Sequence, residues 1–115
     1  MTIQAGEYAN LLTAAQSMKW TRPKGEPKGM DEILLNKHKD GSYTHLLRIE
    51  AGVEIKEAVV HDFYEEAYYL DGEILNTKTK RKITAGDYVF HKPGEKHGPF
   101  RCVKTCMVLE FRYYK

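Results

Sequence analysis

Nowhere does the 115-residue chain hold the roughly 20 consecutive apolar residues that a membrane-crossing helix needs, so no bilayer span is expected. The opening MTIQAGEYANLLTAAQ carries Glu7 and lacks a basic stretch leading into an apolar core, which argues against a secretory signal and for a cytoplasmic protein. Cysteine is scarce. Cys102 and Cys106 make no disulfide framework, and without a second pair they make no zinc site. They read as small packing residues flanking a tight turn at Lys104 and Thr105. Charge of one sign is lacking too: 18 Lys and Arg face 16 Asp and Glu, a net charge of +2, so the footprint of a nucleic-acid-binding protein is missing. The densest cationic run, Lys78-Thr79-Lys80-Arg81-Lys82, reads as a solvated hairpin.

Helical periodicity is confined to the first 18 residues, where Tyr8, Leu11, Leu12 and Ala15 recur at helical spacing. Two prolines and two glycines in TRPKGEPKG (21–29) then force a loop. Residues 1–29 are therefore expected to form a helix or extended arm with its loop, and residues 30–115 a barrel. Strands are expected over 32–37 and 43–50 around an Asp40-Gly41 hairpin turn, over 55–61, and over 65–70 up to a turn at Asp71-Gly72. Further strands are expected over 73–76, 81–84, 88–91, 97–103 and 106–113. So many short strands in one small domain predict an all-β closed barrel or sandwich, because closure removes exposed edges.

What is present in chemistry-bearing pattern lies in HDFYEEAYYLDGEI (61–74) and GDYVFHKPGEKHGPF (86–100). Residues two or four apart on a strand share a face, so His61, Glu65 and Tyr69 can point inward together with Val59 and Ala67. His97, Pro99 and Arg101 share a face of a later strand. Barrel closure would let His97 meet His61 and Glu65. Two imidazoles and a carboxylate with open positions suit one divalent transition metal, iron(II) foremost, with manganese, nickel, cobalt or zinc as alternatives. Glu65, Tyr69 and Arg101 are the expected catalytic residues: Glu65 or Tyr69 in proton transfer, Arg101 on an anionic substrate oxygen. His45 reads as a satisfied histidine before a fourth ligand, Glu66 as outward-facing, His91 as a strand-end residue, and Trp20 as closing a barrel end or a subunit contact.

These two segments resemble the paired motifs of the cupin superfamily. Gly52, His61, Glu65 and Gly72 fill the first motif, with three residues between His61 and Glu65 and six between Glu65 and Gly72. Val59 stands where that motif has its first histidine. Gly86, Gly94 and His97 fill the second, with Pro93 one place late and Arg101 where asparagine is usual. Most of residues 30–113 is covered, and the stretches EEAYYLDGE, HGPF and LEFRYY look similar to small single-domain cupins of the acetylacetone-dioxygenase and ChrR-like group. The resemblance implies a jelly-roll barrel, a homodimer, and a metal-dependent enzyme on a small oxygen-rich metabolite. A dioxygenase is its first implication; an enolate-forming isomerase, cyclase or lyase, or a binding cupin without turnover, are its alternatives.

Overall fold

A computed structural model describes residues 2–115, the side chain of residue 14 excepted. One helix, α1 (Leu11–Ser17), precedes β1 (Met30–Lys37), β2 (Tyr43–Ile49), β3 (Glu54–Ile55), β4 (Val59–Val60), β5 (Tyr64–Asn76), β6 (Lys82–Thr84), β7 (Tyr88–His91), β8 (Lys96–His97) and β9 (Phe100–Tyr113). The long strands β5 and β9 carry the topology. Their outer halves, Tyr64–Tyr69 against Val108–Tyr113, sit in a layer ordered β1-β2-β9-β5-β7. Their inner halves, Glu73–Asn76 against Phe100–Lys104, sit in a second layer ordered β3-β9-β5-β6. β4 and β8 form a separate antiparallel ribbon. The fold is an all-β jelly roll.

The Asp40-Gly41 hairpin forms as its residues require. The turns expected at Asp71-Gly72 and Lys104-Thr105 do not: β5 and β9 run through both points unbroken. Three register shifts between Tyr69 and Ile74, the first with its extra residue on β5 and the next two with theirs on β9, bulge the pair so that it bends instead of reversing. Gly72 is what permits it. Its φ is 96°, and a Cβ there would stand 2.4 Å from Thr105 O and 2.5 Å from Cys106 Cα. Cys102 and Cys106 are consequently neighbours along one bent strand, not across a hairpin; their Sγ atoms lie 3.7 Å apart, both as free thiols. The run expected as one strand over 55–61 is split into β3 and β4.

Alternation on β2 divides the apolar residues between two clusters. Leu47 and Ile49 face the barrel interior with Met30, Ala67, Tyr69, Ile74, Cys102, Cys106 and Val108. Leu46 faces the other way and, with Ile33 and Leu35, is covered by Leu11, Ala15, Met18 and Trp20. The helix is shorter than the expected 18 residues because its stability comes from this one apolar seam. Trp20 closes no barrel end; its Nε1 donates to Ala15 O at 2.9 Å and its ring lies under the Arg48 guanidinium at 4.3 Å, pinning α1 to the sheet. The rest of that outer face, with Tyr68, Tyr88, Phe90 and Phe111, is uncovered. Among the described residues, no helix is long and apolar enough to cross a membrane.

Gly72→Ala should destabilise the protein by more than about 2 kcal/mol, through positive-φ strain and the backbone contact together. Urea unfolding measures it; a loss no greater than that of a surface Gly52→Ala control would show that the bend does not depend on Gly72.

Candidate metal centre

β5 and β7 bring the first donor into place. Glu65 is the second residue of β5, paired with His91 on one side and Arg112 on the other. The pleat sends Glu65, Ala67 and Tyr69 inward and leaves Glu66 outside, where its carboxylate accepts the Tyr88 hydroxyl. His61 sits just beyond β4 rather than on a shared strand with Glu65. Its carbonyl accepts the Gly94 N–H at 2.9 Å, and its ring stacks on Phe63 at 4.4 Å. His97, in β8, faces Val59 across the ribbon and approaches the His61 ring to 4.8 Å. One donor atom from each of His61, Glu65 and His97 lies within 4.8 Å of the others. Donors about 2.1 Å from a shared ion stand roughly 3 Å apart at right angles, so the set is slightly open.

A chain of buried charge stands behind these donors. Glu32 Oε1 and Glu110 Oε1 each lie 2.7 Å from a ring nitrogen of His45. Arg112 Nη2 donates to Glu110 at 3.2 Å and Nη1 to the Tyr43 hydroxyl at 2.7 Å. Arg112 Nε lies 2.8 Å from Glu65 Oε2, yet off the hydrogen-bond axis, so both atoms are buried without a hydrogen bond. The contact is an ion pair of poor geometry, and the carboxyl responds accordingly. Burial, with the Glu110 charge beside it, pushes Glu65 up to about 7 against the pull of Arg112. Burial also acts on Glu110, but the His45 hydrogen bond and Arg112 outweigh it and hold that carboxyl below its ordinary value.

The imidazoles are poised the other way. Burial, then His91 and His61, depress His97 to about 4, and burial with Arg112 depresses His61, so both present lone pairs at neutral pH. A buried carboxylate beside two neutral imidazoles fits a divalent cation: its Oε2 is held by Arg112 only in an ion pair of poor geometry, and the rings need lose no proton.

The interior cavity at this point encloses about 100 Å³, walled by apolar side chains including Val59, Ala67, Ile83, Val89 and Phe100. Tyr69 lines it as expected. Arg101 does not: Gly98 and Pro99 interrupt the strand between His97 and Arg101, so the alternation is lost and Arg101 is exposed opposite Glu54. Arg112 is the arginine in the cavity. It and Glu110 were missed, although VLEFRY places Val108, Glu110 and Arg112 on one face at a period of two. His45 is a satisfied histidine. His91 is more than a strand-end residue; it lines the cavity and stacks on His97 at 4.2 Å.

A family model described as the ChrR cupin-like domain matches residues 9–113. Among solved structures, an acetylacetone dioxygenase from Acinetobacter johnsonii aligns with TM-score 0.68 at 18% identity, over 97% of this chain and 77% of that one. The polyketide cyclase RemF from Streptomyces resistomycificus aligns with TM-score 0.65 at 19% identity, over 84% and 75%. Anti-sigma ChrR, solved with SigE from Rhodobacter sphaeroides, aligns with TM-score 0.66 at 17% identity, over 85% of this chain but only 51% of ChrR. At these identities the likeness is one of fold. No curated protein matches the sequence.

The Glu32–His45–Glu110 chain sets a pH dependence. Burial opposes the charged ring, but the hydrogen bonds with Glu110 and Glu32 win and raise His45 above 6.5. A raised histidine contributes stability that is complete below its unfolded value and lost as pH climbs through the folded one. The stability gap between the native protein and His45→Gln, which keeps a donor but never a charge, should therefore shrink as pH rises above about 6.5. Urea titrations from below to above that pH measure it, and a constant or widening gap would mean that His45 is uncharged in the fold.

Proposed function

The chain belongs to the ChrR cupin-like domain family, and from that premise we propose that it is a metal-dependent enzyme acting on a small oxygen-rich metabolite, first of all a dioxygenase. The observation that carries the reading is the convergence of the buried Glu65 carboxylate with the His61 and His97 rings, one donor atom of each within 4.8 Å of the others. These three residues would hold the ion. The chemistry that a bound divalent ion supplies there is Lewis-acid polarisation of a chelated oxygen and, for iron(II), access to dioxygen. The similarity to an acetylacetone dioxygenase supports the oxidative version as a matter of fold.

The chain's own residues do the rest. Phe63 fixes the plane of His61 by stacking. Arg112 keeps the Glu65 carboxylate at the cavity wall and shares its charge with Glu110. Val59, Ala67, Val89 and Phe100 exclude water from the reacting atoms. Burial, then the negative charge of Glu110, raises the Tyr69 hydroxyl far above its ordinary value, so Tyr69 keeps its proton and can donate a hydrogen bond to a substrate oxygen rather than act as base. Arg101, exposed, has no part in it.

A second reading, enolate isomerisation, cyclisation or lyase chemistry, is favoured by His91. Burial lowers its pKa, leaving a neutral ring against the cavity that can take a carbon-bound proton. Turnover of the substrate without oxygen would select this reading over the dioxygenase; turnover with oxygen uptake would select the first.

His61→Ala and His97→Ala should each lower the metal content of protein purified without added metal by about ten-fold or more, while Arg101→Ala leaves it unchanged. Val59→His, directly opposite His97, should tighten binding by adding a fourth donor. Elemental analysis decides, and full metal content in both alanine variants would refute the site. We also infer a homodimer through the uncovered Tyr68, Tyr88, Phe90 and Phe111 face. Sedimentation as a 13.3 kDa species at micromolar concentration would refute that.

A further inference from the structure

The interior cavity is small for a metabolite. Its volume of about 100 Å³ falls below the roughly 300–1,000 Å³ typical of ligand pockets. A second cavity of about 430 Å³ lies against it, and Ile83, Val89, His91, His97 and Phe100 line both. This cleft is of different chemistry. Its far wall is built by Asn76, Thr79, Arg81, Lys82 and Lys96, with Asp87 as its acidic member.

The cationic wall is held in shape. Asn76 Oδ1 accepts the N–H groups of Lys78 and Thr79, each at 3.0 Å, and Asn76 O accepts that of Lys80 at 2.8 Å. Lys80 takes a φ of 66°, which closes the turn between β5 and β6. The run Lys78–Lys82 is thus an ordered hairpin end whose Arg81 and Lys82 border a cavity. Asp87 offsets part of this charge but, among the described residues, pairs with none of the three cations; its Oδ2 accepts the Thr84 N–H at 2.8 Å. Lys82 has a loose contact with Glu73 at 3.8 Å, and among the described residues Arg81 and Lys96 form no ion pair. Three cations and one acid line the cleft beside two imidazoles, His97, which is one of the three donors, and His91, which stacks on it.

We propose that this cleft binds the anionic group, carboxylate or phosphate, of a substrate whose oxygens reach His61, Glu65 and His97 across the wall that the two cavities share. The substrate class is then a chelating small molecule with an anionic arm. The arm rests on Arg81, Lys82 and Lys96, and the chelating head occupies the interior. This extends the metal-enzyme reading above and depends on it for the head alone; the anion site stands on the cleft.

Two measurements keep those parts separate. First, inorganic phosphate and acetate are titrated into the metal-free protein while backbone amide resonances are followed. Saturable shifts over residues 76–82 and 96–98 are expected, with the tighter anion identifying the arm. Arg81→Glu with Lys96→Glu, both exposed, should weaken that binding by about ten-fold or more, while Lys37→Glu at the far edge of the sheet leaves it unchanged. Shifts that fail to saturate, or that survive the double variant, overturn the cleft as an anion site. Second, acetylacetone and 2,4-dioxopentanoate, the same diketone with a carboxylate, are titrated into iron(II)-loaded protein without oxygen. The carboxylate-bearing probe should bind about ten-fold tighter, and Arg81→Glu with Lys96→Glu should abolish that preference while leaving acetylacetone binding unchanged. Equal affinities overturn the link between cleft and triad. Failure of both diketones alongside saturable phosphate binding overturns the metal-enzyme reading and leaves the anion site in place.

Discussion

Everything in this fold hangs on one backbone contact, the approach of Gly72 to Thr105 and Cys106. Because β5 and β9 bend there together, each serves two layers, and the pairing of Glu65 with Arg112 at one end is continuous with the pairing of Ile74 with Cys102 at the other. A strand rises about 3.3 Å per residue, so residues four apart on a straight strand would stand about 13 Å apart. The 3.7 Å between the Cys102 and Cys106 sulfurs measures how sharply β9 turns. Burial pushes the Cys106 thiol up to about 12, so the pair behaves as small apolar filling at the corner rather than as a nucleophile.

Alternation along the outer halves of β5 and β9 decides the electrostatics. It sets Glu65, Glu110 and Arg112 around one cavity, where one guanidinium faces two carboxylates. Glu110 receives both a hydrogen bond from Arg112 and a contact with His45, and it stays ionised. Glu65 receives a charge without alignment. A buried ion pair is favourable only when its geometry and remaining hydrogen bonds are good. Glu65 meets neither condition, which is why its carboxyl rises to about 7 despite an arginine at 2.8 Å. The same carboxylate stands near two neutral imidazoles that offer nitrogen lone pairs. Glu32, His45 and Glu110 form the fixed part of the same network, anchoring Arg112 from behind.

The parts of this arrangement governed by short-range pattern were legible in the residues. The Asp40-Gly41 hairpin and the strand series follow from turn chemistry and alternation; the convergence of His61, Glu65 and His97 follows from the motif spacing, since His61 and Glu65 do not share the strand that alternation assumed. Position 72 shows where such reasoning stops. Asp71-Gly72 has turn composition, but a positive-φ glycine serves a bulged, continuous strand equally well, and only the partner strand decides between them. Lys104-Thr105 failed for the same reason. Arg101 was misplaced because parity was carried across Gly98-Pro99, where the strand breaks. Glu110 and Arg112 were overlooked although alternation marks them; charged residues in a terminal strand read as solvated until the sheet that buries them is assembled.

Position on the two faces of the same wall then separates selection from chemistry. β7 and β8 carry His91 and His97, which border the interior donors, and the same rings border the outer cleft. The interior, at about 100 Å³, is below the roughly 300–1,000 Å³ of typical ligand pockets. A larger ligand can extend past these imidazoles into the cleft. The dry apolar wall suits the reacting end, where screening would weaken every charge interaction. The cationic rim, open to water, suits recognition, where an exposed ion pair adds little affinity alone but several together orient a charged arm. The stacked His91–His97 pair at 4.2 Å is the boundary between these two environments. Its neutrality serves both: a protonated ring there would repel a cation at the donors, whereas uncharged rings leave attraction for an anion to Arg81, Lys82 and Lys96 outside.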